Sequence, residues 1–157
     1  MVGKIISGGQ TGADRAAFDV ALELGLAIGG WVPQGRRAED GVVPARYEGV
    51  VETNSDSYEY RTELNVRDSD ATVIFTFGLP TGGSALTARL AQSFGRPVLL
   101  MDLERYGPDE AIPILRAWLE QTRSKILNVA GSRLSEEPRI VDAATRILRG
   151  ALGSPAP

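Results

Sequence analysis

The chain contains no cysteine and no histidine. These two absences exclude a disulfide framework, a thiolate or imidazole metal centre, a cysteine nucleophile and a serine–histidine–aspartate triad. Chemistry is left to carboxylates, hydroxyls, amides, arginine, lysine and the backbone. An excess of positive charge is also missing. Seventeen Lys and Arg stand against 20 Asp and Glu, a formal net charge of −3, so no basic field exists to hold a nucleic-acid backbone and nucleic acid is not an expected partner. No window approaches the roughly 18 apolar residues of a membrane span. The opening stretch Val2 to Ile6, interrupted by Gly3 and Lys4, is too short for a secretion signal. The expectation is a cytoplasmic protein with no membrane partner, and the lack of cysteine fits a reducing compartment.

The composition that remains, 157 residues with 43% hydrophobic and 24% charged, supplies one ordinary core and surface. Short apolar runs alternate with amphipathic stretches. This pattern predicts an α/β fold: a Rossmann-like, doubly wound, mostly parallel sheet with helices on both faces, in a single domain. Strands are expected at Lys4–Ser7, Leu26–Val32, Ala71–Phe77, Val98–Met101 and Ile126–Ala130. Helices are expected over Ala13–Leu24, about 56–68, Ala85–Phe94, about 109–122, and after Pro138. Residues 1–150 form the expected ligand-binding domain and 151–157 a flexible tail. Gln34 to Asn54 carries no sustained period, and so long a connection is more often functional than idle.

Two glycine-rich turns follow expected strands, where a parallel sheet presents backbone N–H groups and helix N-termini to anions. The first is Gly8-Gly9-Gln10-Thr11-Gly12-Ala13-Asp14, with three glycines for close approach and a Thr11 hydroxyl. It matches neither the GxGxxG nor the Walker A spacing, and a tight turn with no ligand is its plainer reading. Asp14 either favours the helix dipole or holds a ligand N–H or hydroxyl. The second is Gly78-Leu79-Pro80-Thr81-Gly82-Gly83-Ser84. A strand order 2-1-3-4-5 would bring the two turns to one crevice, fitting a phosphate at one and a polar ring near the other.

Arg61, Asn65 and Asp68 share a polar helix face at i, i+4 and i+7, either a site or a solvated surface. Arg36, Arg37, Glu39 and Asp40 cluster in the long connection, where the guanidinium groups can close over an anion. Asn128 and Gly131-Ser132-Arg133 end the last strand on the ligand edge. Trp31 and Trp118 read as packing residues. No catalytic set and no protein-ligated metal are identifiable.

The segments IISGGQTGADRAA, GWVPQGRRAEDGVVPARY, YRTELNVRDSDATVIF, LPTGGSALT and ILNVAGSRLSEEPRI, in this order over roughly residues 4 to 145, resemble the molybdenum cofactor carrier proteins. That family has a Rossmann-like fold related to the lysine-decarboxylase-like LOG proteins. The resemblance implies a small cytosolic homo-oligomer, dimer or tetramer. It would bind molybdenum cofactor, a phosphate-bearing pyranopterin dithiolene, protect it and hand it to molybdoenzyme apo-proteins. The binding residues it suggests are Gly8, Gly9, Gln10, Thr11, Gly12, Asp14, Arg36, Arg37, Arg61, Asn65, Thr81, Gly82, Gly83, Ser84 and Arg133. The cofactor's own dithiolene holds the metal. Two departures stand out. Gly131-Ser132-Arg133-Leu134-Ser135 replaces a motif closer to GPRES, and Pro80-Thr81-Gly82-Gly83-Ser84-Ala85-Leu86 lacks the downstream Glu of the LOG-type PGGxGTxxE hydrolases. The competing expectation is an N-glycosidic hydrolase of that type acting on a nucleotide, with Asp14, Glu39, Asp40 or Asp68 as its carboxylate.

Overall fold

The computed structural model describes residues 1–153. Its centre is a six-stranded parallel sheet. The strands are β1 (Lys4–Ile6), β2 (Ala27–Val32), β5 (Val50–Glu52), β6 (Ala71–Thr76), β7 (Val98–Asp102) and β8 (Ile126–Gly131). A short hairpin, β3 (Arg37–Ala38) with β4 (Gly41–Val42), stands apart from it. The helices are α1 (Ala13–Glu23), α2 (Tyr58–Arg67), α3 (Gly82–Ser93), α4 (Pro108–Thr122) and α5 (Ile140–Leu152). Helices α1, α4 and α5 pack on one face, and α2 and α3 on the other. The fold is therefore the Rossmann-like α/β domain that the periodicity predicts.

Strand residues alternate between the faces. Ile5, Val73, Phe75, Leu127 and Val129 join Ala17, Val20, Leu115, Ile147 and Leu148 in the main core. Trp118 packs against that core, while Trp31 donates its Nε1–H to Asp68 Oδ2 at 2.8 Å. Helix α5 continues through Leu152, two residues past the expected domain end at 150, because Ala151 and Leu152 pack on the core. Residues 154–157 of the expected tail lie outside the described residues.

The strand order is β5-β2-β1-β8-β6-β7, which corrects the order 2-1-3-4-5. The last strand enters the middle, pairing Ile6 with Asn128 on one side and Ile74 with Ala130 on the other. Leu127, Asn128 and Val129 are all buried, as a strand covered on both faces requires. The ends of β1 and β6 therefore stand two interstrand spacings apart, roughly 10 Å. A crevice over the end of β8 separates the two glycine-rich turns.

The aperiodic connection also has order of its own. Phe18, Val32, Ala38, Val43 and Tyr47 form a second, smaller core. The Phe18 and Tyr47 rings lie 5.1 Å apart, and the Tyr47 hydroxyl donates to Asp19 Oδ1 at 2.7 Å. Burial and that carboxylate hold the phenol's pKa well above its usual value. The connection also adds β5 to the sheet edge, a strand that the sequence pattern did not reveal.

Candidate functional site

A cleft of about 640 Å³ opens at the carboxyl edge of the sheet, between α2, α3 and the end of β8. Ligands of doubly wound sheets occupy this position. Gly8, Gln10 and Asp14 enter it from the turn after β1. Arg61 and Asn65 come from α2, Gly82, Gly83 and Ser84 from the start of α3, Asn128 from β8, and Arg37 and Arg133 from the flanking segments.

Arg61 is only 8% exposed, yet among the described residues it has no carboxylate within ion-pair distance. Its Nη1 donates to Gly8 O at 2.5 Å and its Nε to Tyr58 O and Thr62 Oγ1. Nη2 is left without an acceptor among the described residues. Glycine at position 8 permits this approach, since a Cβ there would lie 2.0 Å from Arg61 Nη1. Burial depresses the guanidinium's pKa, and the nearby Asp14 charge opposes that. The Tyr58 ring meets two guanidinium groups, with Arg37 Cζ 4.3 Å and Arg61 Cζ 5.3 Å from its centroid.

Asp14 is equally enclosed. Its Oδ2 accepts from Gln10 N at 3.1 Å. Burial raises its pKa above the ordinary carboxylate value, and the Arg61 charge, the Gln10 N–H and the neighbouring Ser7 hydroxyl pull it back. The fully buried Ser7 hydroxyl, at the end of β1, makes no well-formed hydrogen bond among the described residues, and Asp14 is the carboxyl beside it.

At the opposite wall, α3 begins at Gly82, three residues earlier than the sequence suggests, so Gly82 and Gly83 form its first turn. Ser84 N and Ala85 N bond Thr81 O, whereas the N–H groups of Gly82 and Gly83 have no acceptor among the described residues. The Ser84 side chain, 8% exposed, also has no partner among them. This wall offers two N–H groups, one hydroxyl and a helix dipole to an anion.

The structure does not bring every candidate to the cleft. Thr11 Oγ1 donates to Glu39 Oε1 and accepts from Leu134 N at 3.1 Å, on the far side of the turn. Gly12, at φ +85°, lies so close to the last loop that a Cβ would be 2.3 Å from Ser132 O. Gly9 packs against Val43 and Val32. Arg36 holds the long connection through Val43 O at 3.0 Å and Pro44 O at 2.8 Å. Thr81 caps α3 without lining the cleft. Asn65 lines it, but both ends of its amide are bound to the backbone of Trp31, at 2.7 and 3.0 Å.

The candidate carboxylates divide in the same way. Glu39 is held by Thr11, Ser135 N and Ser135 Oγ, which depress its pKa. Asp40 chelates Arg15 at 2.5 and 2.7 Å, and Asp68 is bound by Arg67 and Trp31. Of the four, only Asp14 reaches the cleft. Sequence reasoning missed Tyr58, Thr62, Thr87 and Arg89, which also line it. Tyr58 and Thr62 precede and follow Arg61 at i−3 and i+1, and only the packing of α2 reveals their direction. Among the described residues no three acidic side chains cluster to hold a metal.

The sheet, the helices on both faces and the cleft at the strand ends define a Rossmann-like α/β domain. Within that class, the chain belongs to the circularly permutated YpsA SLOG family, whose model matches residues 5–152. It is also similar to the crystal structure of a protein from Syntrophus aciditrophicus SB described as a "putative molybdenum carrier protein", with 43% identity over 97% of this chain and 96% of that one and a TM-score of 0.94. Among curated proteins none matches.

Proposed function

We propose that the cleft binds molybdenum cofactor or a similar phosphorylated pterin, and that the protein stores, protects or delivers it in the cytoplasm. The observation that carries this reading is Arg61, a buried guanidinium facing the cleft with no carboxylate partner among the described residues. An anionic ligand supplies the direct ion pair that the nearby Asp14 does not make. The exposed N–H groups of Gly82 and Gly83 with Ser84 suit its phosphate, and the side chains of Gln10, Asp14 and Asn128 suit a polar ring. The relative described as a molybdenum carrier supports the choice of ligand. In this reading the protein acts as a homo-oligomer, dimer or tetramer, and its partners are molybdoenzyme apo-proteins.

Anaerobic equilibrium dialysis with intact molybdenum cofactor tests the proposal. Saturable binding that weakens in Ser84→Ala is expected, and absence of binding overturns it. A second reading, N-glycosidic hydrolysis, draws on Asp14, whose enclosed carboxyl lines the cleft. Release of free base from AMP or other nucleotides by wild-type protein, lost in Asp14→Asn, would favour that reading.

A further inference from the structure

Asp14 presents an under-used acceptor to the cleft. The residue is 8% exposed; Oδ2 takes the Gln10 N–H, and the buried Ser7 hydroxyl, too poorly placed for a well-formed hydrogen bond, is the only other donor beside the carboxyl among the described residues. A carboxylate this enclosed, with one firm hydrogen bond, is stabilised further by a ligand that brings N–H groups. Donors flank it. Gln10 Oε1 accepts from Thr11 N at 3.1 Å and from Glu39 N at 2.9 Å, which fixes the amide orientation and leaves Nε2 as the free end. Arg61 Nη2 is the second donor on the same cleft with no acceptor among the described residues.

We propose that Asp14, with Gln10 and Arg61, reads the 2-amino-4-oxopyrimidine edge that pterins share with guanine, and that this selects such rings over adenine-type rings. The inference rests on the reading of this cleft as a site for a phosphorylated pterin and adds its specificity determinant. That edge carries a ring N–H, an amino N–H and a carbonyl in a row. A carboxylate accepts the two N–H groups side by side, and the carbonyl accepts from an amide or guanidinium donor. Adenine's amino group is flanked by ring nitrogens that are acceptors, so a carboxylate bonding that amino group meets a lone pair. Burial has already made the carboxylate's charge unfavourable, so two approaching N–H dipoles strengthen it more than they would in water. A site built around such a pair rejects a ring that lacks it, because the buried acceptor is then left unpaired.

The nucleotides GMP, IMP and AMP share one ribose phosphate and differ in this edge. Titration calorimetry of the full chain with each is expected to show GMP bound about 10- to 100-fold more tightly than AMP, with IMP, which lacks the amino group, well below GMP. In Asp14→Asn the GMP lead should fall below about threefold, through weaker GMP binding together with unchanged or tighter AMP binding, because an amide can face adenine's amino group and ring nitrogen at once. Equal binding of all three nucleotides, as a ribose hydroxyl on Asp14 would give, overturns the proposal. So does a GMP lead that persists in Asp14→Asn, or no GMP binding at millimolar concentration. The nucleotide series on unaltered protein is independent of how the variant folds. Cofactor binding without GMP preference keeps the carrier reading and removes the edge assignment. GMP preference without cofactor binding does the reverse.

Discussion

Arg61→Met separates ligand binding from folding. Methionine keeps most of the buried stem and removes the guanidinium. Three hydrogen bonds, to Gly8 O, Tyr58 O and Thr62 Oγ1, are lost. At about 1 kcal/mol each they amount to about 3 kcal/mol. Against this stands the cost of burying a guanidinium that has no carboxylate partner, which is several kcal/mol and is relieved by the change. The two effects oppose, so the net stability change is expected to lie within about 2 kcal/mol, roughly 4–8 °C in Tm for a domain of this size. Binding has no such compensation. Losing a charge-assisted hydrogen bond to an anionic ligand removes about 1.5–3 kcal/mol, roughly 10- to 150-fold in Kd. Anaerobic titration of wild type and variant, with melting curves of both, measures the two effects. A variant that melts within the stated range and binds as tightly as wild type would refute the role of Arg61 as the ligand's counter-cation.

Three further outcomes follow from the geometry. Asp14 has a raised pKa, so the native state holds its proton more tightly than the unfolded chain does; its contribution is favourable below the unfolded value of 3.8 and is lost as pH rises through the folded value. The Tm of Asp14→Asn minus that of wild type should therefore increase with pH from about 4 upward, and a flat difference would contradict the burial argument. Glu39→Gln weakens the clamp between the turn after β1 and Ser135, and urea denaturation should show a loss of about 1–3 kcal/mol. Gly12→Ala combines a positive φ with a Cβ placed 2.3 Å from Ser132 O. It should cost at least about 2 kcal/mol of stability by the same assay, whether or not ligand is present.

Elements with a sustained period were legible in the sequence, and those held by scattered partners were not. Helix α5 shows Ile140, Ala144, Ile147 and Leu148 on one face, and all four are buried. The β6 run Ala71–Thr76 is buried throughout, as its β-branched and aromatic character suggests. The 34–54 connection hid its order because its core draws one residue at a time from distant positions: Phe18, Val32, Ala38, Val43 and Tyr47. Strand order was illegible for a related reason. Nothing local in Ile126–Gly131 says that it enters between β1 and β6. Helix α3 begins at Gly82 because the turn after β6 and its Thr81 carbonyl hold Ser84 and Ala85, whereas Gly-Gly alone reads as a breaker.

The candidate site was legible as a set of turns, and its internal division was not. Both glycine-rich turns follow strands as the spacing suggests. The first, however, is partly closed by its own contacts, with Thr11 tied to Glu39 and Leu134, and Gly12 pressed on Ser132. Helical spacing places Arg61 and Asn65 on one face, yet Asn65 is bound to Trp31 while Arg61, which lines the cleft, has an Nη2 with no acceptor among the described residues. Such distinctions depend on which partner reaches a polar atom first, and that is decided by packing across the sheet.

The most direct measurement is an anaerobic equilibrium titration of the full chain with intact molybdenum cofactor, repeated with AMP as competitor. Saturable binding that excess AMP does not displace is the predicted result. No binding, or ready displacement by AMP, would contradict the carrier reading and make the cleft a general nucleotide site.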